Sequence, residues 1–105
     1  MRPRTAHRQD RNHKEIREAF RDRGFSVQDT HMIGQGFPDL ICSRAGRTFL
    51  VEVKDGQAIP SKRALTSDEV DFHREWDGYI YVVESVADVI EIEANSAASE
   101  LAESS

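Results

Sequence analysis

Apolar residues along this chain change their spacing several times, and each change marks an element. Between residues 13 and 23, Ile16, Ala19 and Phe20 recur at helical spacing among charged neighbours, which gives a helix one apolar face. Asn12 with Glu15 three residues on has the form of a capping box, and Gly24 supplies a left-handed stop. From Phe25 to Met32 the period becomes two, with Phe25 and Val27 on one face, which predicts a first strand with an exposed edge. Pro38 suits only a strand start, and two strands follow at about 39–43 and 47–54, joined at Ala45-Gly46. In the second of these, Phe49, Val51 and Val53 point one way while Leu50, Glu52 and Lys54 point the other. Leu50 therefore implies that both faces of the sheet are covered. Thr66 and Glu69 form another capping box and open a helix to about Asp77, whose stripe is Glu69, Phe72, His73 and Trp76, with Phe72 and Trp76 packed down. Tyr79 to Val83 is β-prone, and Ser85 caps a short helix to about Glu93. A strand, helix, strand path of this length implies a crossover to a parallel neighbour. The pattern predicts an α/β fold with a mixed four-stranded sheet flanked by helices.

Composition narrows the class. At 105 residues the chain holds about one domain. Residues 1–11 read as a flexible basic arm, 12–94 as the domain and 95–105 as a disordered acidic tail rich in Ala, Ser and Glu. Charged residues make up 31% of the chain against 38% hydrophobic, and no apolar run approaches the length of a membrane span. The basic start Met1-Arg2-Pro3-Arg4 has no apolar segment behind it, so no secretory signal is expected. Cys42 is the single cysteine, it lies in an apolar strand, and it reads as core in a reducing cytoplasm. The net charge of −5 is unevenly spread: residues 1–23 carry +4, residues 24–83 carry −3 and residues 84–105 carry −6. A basic arm that includes Arg11 can follow a phosphate backbone, or be an ordinary solvated surface.

The chemistry converges on Gly36 to Lys54. Asp39 opens one strand and Glu52 nearly closes the next, so the pairing brings the two carboxylates and Lys54 together. Carboxylates that face each other repel unless a cation lies between them, and hard oxygen ligands suit Mg²⁺ or Mn²⁺. A lysine beside such an ion, close to a scissile phosphate, can orient or deprotonate the nucleophile and offset charge in the transition state. Gly34-Gln35-Gly36 reads either as a turn or as a place where backbone approaches a phosphate. Lys62-Arg63, in the polar loop 55–64, reads either as a phosphate clamp or as solvated surface. Glu15 and Glu69 are each a helix cap or a site residue, and His73 reads as a hydrogen-bonded helix residue before a general base.

The stretches Gly36-Phe37-Pro38-Asp39-Leu40 and Glu52-Val53-Lys54-Asp55-Gly56, with Leu65-Thr66-Ser67-Asp68-Glu69, Phe72-His73 and the upstream Asn12-x-x-Glu15, resemble the PD-(D/E)XK nucleases. The likeness is nearest to small VRR-NUC and Holliday-junction-resolvase-like members of phage and bacterial origin, and covers about residues 10–90. It implies a restriction-endonuclease-like αβββαβ core and a Mg²⁺- or Mn²⁺-dependent endonuclease hydrolysing DNA in a bacterial or phage-infected cytoplasm, with branched DNA, flaps, single strands and plain duplex all open as substrates. It further implies metal on Asp39, Glu52 and the Val53 carbonyl, Lys54 as catalytic lysine, an acidic group near the metal at Glu15, and a Gln or Glu near the site at Glu69. Resolvase-like relatives often act as homodimers, and the edge of the first strand offers a surface for pairing. The competing readings are a catalytically silent nucleic-acid-binding module of the same fold, and a small partner-binding α/β protein.

Overall fold

The computed structural model describes residues 9–104. Residues 1–8 of the basic arm lie outside that span. The elements run α1 (His13–Asp22), β1 (Ser26–Asp29), β2 (Leu40–Arg44), β3 (Arg47–Val53), α2 (Pro60–Arg63), α3 (Ser67–Glu75), β4 (Ile80–Val83) and α4 (Val86–Ser104). The four strands form one sheet in the order β1-β2-β3-β4. The first two pairings are antiparallel and the last, β3 with β4, is parallel. The protein is thus α/β with a mixed four-stranded sheet flanked by helices, as the apolar pattern predicts. Among the described residues no helix is long and apolar enough to cross a membrane.

The alternation of β3 decides which face is core. Phe49, Val51 and Val53 join Leu40, Cys42 and Val83 in one buried cluster with Ile16, Ala19 and Phe20 of α1 and Val89 and Ile92 of α4. Phe20, Phe25 and Phe49 meet edge-on or tilted, with ring centroids 5.4–6.0 Å apart, an arrangement that adds to area burial. Each such side chain contributes about 1.5–3 kcal/mol when fully buried. Cys42 is part of this core, and burial pushes its thiol up to about 12, which leaves it inert. The opposite face carries Glu52 and Lys54, and Leu50 is buried there too, so the sheet is covered on both sides.

Several details depart from the pattern. The first strand stops at Asp29, because Thr30 turns the chain by accepting from the Ile33 N–H; Met32 and Ile33 are exposed rather than strand residues. The loop 55–64 contains the short turn α2, which begins at Pro60, a residue preset for a first helical turn. Helix α3 ends at Glu75, and Trp76 is half exposed instead of packed down; its ring stacks on Phe72, which itself meets Phe37. Helix α4 continues to Ser104 over the segment read as a disordered acidic tail. Ala and Glu favour helix where no core is available to decide.

Candidate active site

Two hydrogen-bonded strands set the geometry. Leu40 stands opposite Val51, so Asp39, one residue earlier, meets Glu52 across the β2–β3 pair. The Asp39 N–H donates to the Val51 carbonyl at 2.8 Å, and the Asp39 carbonyl accepts from the Thr30 N–H at 2.7 Å. Thr30 also donates its hydroxyl to the Pro38 carbonyl at 2.8 Å. This pins the strand mouth on both sides, and the Asp39 side chain turns inward so that Oδ2 accepts from the Val53 N–H at 2.8 Å. The N–H and C=O of one strand residue point to the same neighbouring strand. The Val53 carbonyl is accordingly directed toward the Asp39 side.

Glu52 is 3% exposed, and its Oε1 is buried with no hydrogen-bond partner. Burial, followed by the nearby Asp39 and Glu69, pushes its carboxyl far above the usual carboxylate range. Lys54 is the local cation: its Nζ lies 2.8 Å from Glu69 Oε1 and 3.9 Å from Glu52 Oε2. Burial alone would lower the Lys54 pKa, but the bond to Glu69 and the charges of Glu69 and Glu52 outweigh it and raise it. The ammonium is therefore held protonated.

Glu69 is a helix cap, and its carboxylate also meets Lys54. Its carboxylate accepts from the Thr66 N–H at 2.9 Å while Thr66 Oγ1 accepts from the Glu69 N–H, a complete capping box, and the same Oε1 holds Lys54. Burial would raise its pKa, but Lys54 and the Thr66 N–H lower it overall. His73, one turn on, has a buried Nε2 without a partner; burial lowers its pKa, with Glu69 opposing and Lys54 assisting. Asp10, which the sequence pattern did not single out, belongs to the same charge field. Burial raises its carboxyl, Lys54 lowers it, and Asp39, Asp55 and Glu69 raise it further. No local pattern marks Asp10, because it precedes the helix and meets these residues only through tertiary packing.

Asn12 and Glu15 do not form the expected capping box. The Asn12 amide instead donates to the carbonyls of Lys54 at 3.1 Å and Glu84 at 3.0 Å, tying the start of α1 to the ends of β3 and β4. Glu15 is exposed and lines a cleft of about 750 Å³ with Arg11, Asp55, Gln57, Glu84 and Asp88. The structure does not bring it to Asp39 and Glu52 by any hydrogen bond or ion pair. Arg11 is held on that cleft by Asp55 at 3.2 Å and Gln57 at 3.0 Å. Lys62 is exposed on α2, and Arg63 reaches Glu84 at 3.9 Å. Gln35 is exposed, with Gly34, Gln35 and Gly36 all at positive φ. A Cβ on Gly36 would stand 2.4 Å from the Asp68 carbonyl oxygen, so this glycine serves the packing of the loop on the start of α3.

Among the described residues, the ligand atoms of three or more His, Cys, Asp or Glu side chains approach within 4.8 Å of one another in one group, His13, Asp29 and His31. Asp29 stands opposite Leu40, on the core face of the sheet, whereas Glu52 and Lys54 belong to the other face. No family model matches the chain, and no curated protein matches it either.

Proposed function

We propose that this chain is a Mg²⁺- or Mn²⁺-dependent endonuclease that hydrolyses DNA phosphodiester bonds, built on a restriction-endonuclease-like PD-(D/E)XK core and selective for branched DNA. The observation that carries the reading is Glu52: a carboxylate 3% exposed, facing Asp39, with one oxygen that has no partner in the fold. A buried group left so is costly unless a cation completes it. Asp39, Glu52 and the Val53 carbonyl would hold the ion, an all-oxygen set suited to Mg²⁺ or Mn²⁺. When bound, such an ion polarises a phosphoryl oxygen and makes water nucleophilic at neutral pH.

The residues of the chain supply the rest. Lys54, kept protonated by Glu69 and Glu52, offsets negative charge as it builds on the scissile phosphate, a role for which a protonated amine is better suited than a base. Glu69 holds that amine in place from the rigid first turn of α3. Arg11, Lys62, Arg63 and Gln35 are proposed to meet the DNA backbone, with the arginines leaving Asp55 and Glu84 to meet phosphates. Two symmetric cuts on branched DNA call for a homodimer, and β1, with one unpaired edge in the sheet order, is the surface proposed for it. Supercoiled plasmid and a four-way junction incubated with the protein test the activity. Nicking or resolution that needs Mg²⁺ or Mn²⁺ and stops with chelator is expected; no cleavage of either substrate with either ion contradicts the proposal.

A further inference from the structure

On the core face of the sheet, opposite to the face of Glu52, two imidazoles bracket one carboxylate. His13 Nε2 lies 2.8 Å from Asp29 Oδ2, and His31 Nδ1 lies 2.9 Å from Asp29 Oδ1. The rings themselves are edge-on, 5.3 Å between centroids. His13 is the first residue of α1, Asp29 the last of β1, and His31 stands in the turn that follows. Two pieces of backbone, the start of α1 and the end of β1 with its turn, thus converge on one point, and His13 is 2% exposed.

From these contacts we infer that His13, Asp29 and His31 form a transition-metal site of zinc type, separate from the carboxylate site and independent of the proposed nuclease activity. Two neutral imidazoles and one carboxylate are a ligand set for Zn²⁺ rather than Mg²⁺. In a tetrahedral zinc site with bonds of about 2.1 Å, ligand atoms stand roughly 3.4 Å apart. Here the three ligand atoms all lie within 4.8 Å of one another, so side-chain adjustments of about an ångström reach that geometry. Binding through one Asp29 oxygen leaves the other to Arg17, whose Nη1 is already 2.9 Å from Oδ2; a cation on the outer oxygen orients the ligand carboxylate. A water completes the fourth position, beside the Gln9 amide whose Nε2 lies 3.1 Å from His31 Nδ1. His13 Nδ1 is buried without a partner. In the neutral ring the Asp29 carboxylate keeps the proton on Nε2, and a metal bound at Nε2 requires the proton to move to Nδ1. The resulting Nδ1–H lacks an acceptor, which sets the affinity below that of a fully buttressed zinc site.

The ion would join α1 to β1 and to the turn that holds Thr30, whose N–H and hydroxyl fix the strand mouth at Asp39 and Pro38. Its role is a clamp on the scaffold.

The test is a Co²⁺ titration of chelator-treated protein, followed by visible ligand-field absorption, with Zn²⁺ competition and thermal melting. His31→Gln is the informative variant, since His31 is partly exposed and His13 is in the core; circular dichroism checks its fold. The expected result is one equivalent of four-coordinate Co²⁺ absorption, displaced by Zn²⁺, a rise in melting temperature with Zn²⁺, and a loss of affinity of about tenfold or more in His31→Gln. Asp29→Asn should lose the absorption as well, and Glu52→Gln should keep it. Absence of the four-coordinate absorption in the wild type, its persistence in folded His31→Gln, or its loss in Glu52→Gln overturns the inference.

Discussion

A carboxyl group as enclosed as that of Glu52 keeps its proton at neutral pH, because burial and the facing Asp39 and Glu69 all disfavour its charge. Its folded-state pKa lies above its ordinary value of 4.5. Stability gained from holding the proton is therefore fully present below pH 4.5 and is lost as pH rises through the folded value. Thermal melts in chelator across that range should show wild-type stability declining with rising pH and Glu52→Gln declining less; parallel curves would contradict it. The same proton must leave when a cation arrives. Calorimetry with Mn²⁺ in buffers of different ionisation enthalpy should report proton release in the wild type and none from this position in Glu52→Gln. Equal apparent enthalpies in all buffers would mean that Glu52 is not a ligand. The placement of these residues was legible in part. The alternation of β3 already places Glu52 with Lys54, and the register with β2 brings Asp39 to them. Asp10 and the His13, Asp29 and His31 group were not legible, since their partners meet only when α1 docks on the sheet.

At the scale of elements, the local signals that involve neighbours in sequence translate directly. Ala45 and Gly46 both have positive φ, as a two-residue hairpin turn demands, and Thr66 with Glu69 makes the capping box that its spacing implies. Thr66→Ala should lower stability by about 1 kcal/mol, within the range of lost N-caps, and should also loosen Glu69 from Lys54; chemical denaturation measures the first effect and an unchanged midpoint would contradict it. Signals that competed with distant partners misled. Asn12 looks like a cap, yet its amide spends both hydrogen bonds on carbonyls of residues 54 and 84, a contact no local pattern can reveal. Gly36 was open to a phosphate reading, yet the Asp68 backbone occupies the space. Gly36→Ala should cost about 1–3 kcal/mol, because a Cβ is strained at a φ of +85° and meets that carbonyl. A melting temperature equal to wild type would show that the loop can move aside.

For the whole molecule, the mixed sheet was readable from the change of period and the crossover to β4, while the length of α4 was not, because Ala- and Glu-rich sequence serves a helix or a tail equally well until it has a helix to continue. The proposed function rests on one arrangement: the carboxylates of Asp39 and Glu52 and the protonated amine of Lys54, brought together where β2 begins and β3 ends, with Glu69 of α3 holding the amine. Lys54→Ala tests that arrangement most directly, assayed beside the wild type for Mn²⁺ binding, DNA binding and cleavage of plasmid and junction DNA. A group that acts in the transition state should leave both affinities nearly unchanged while the cleavage rate falls by about 10²–10⁴-fold. Cleavage by Lys54→Ala at the wild-type rate would contradict the account.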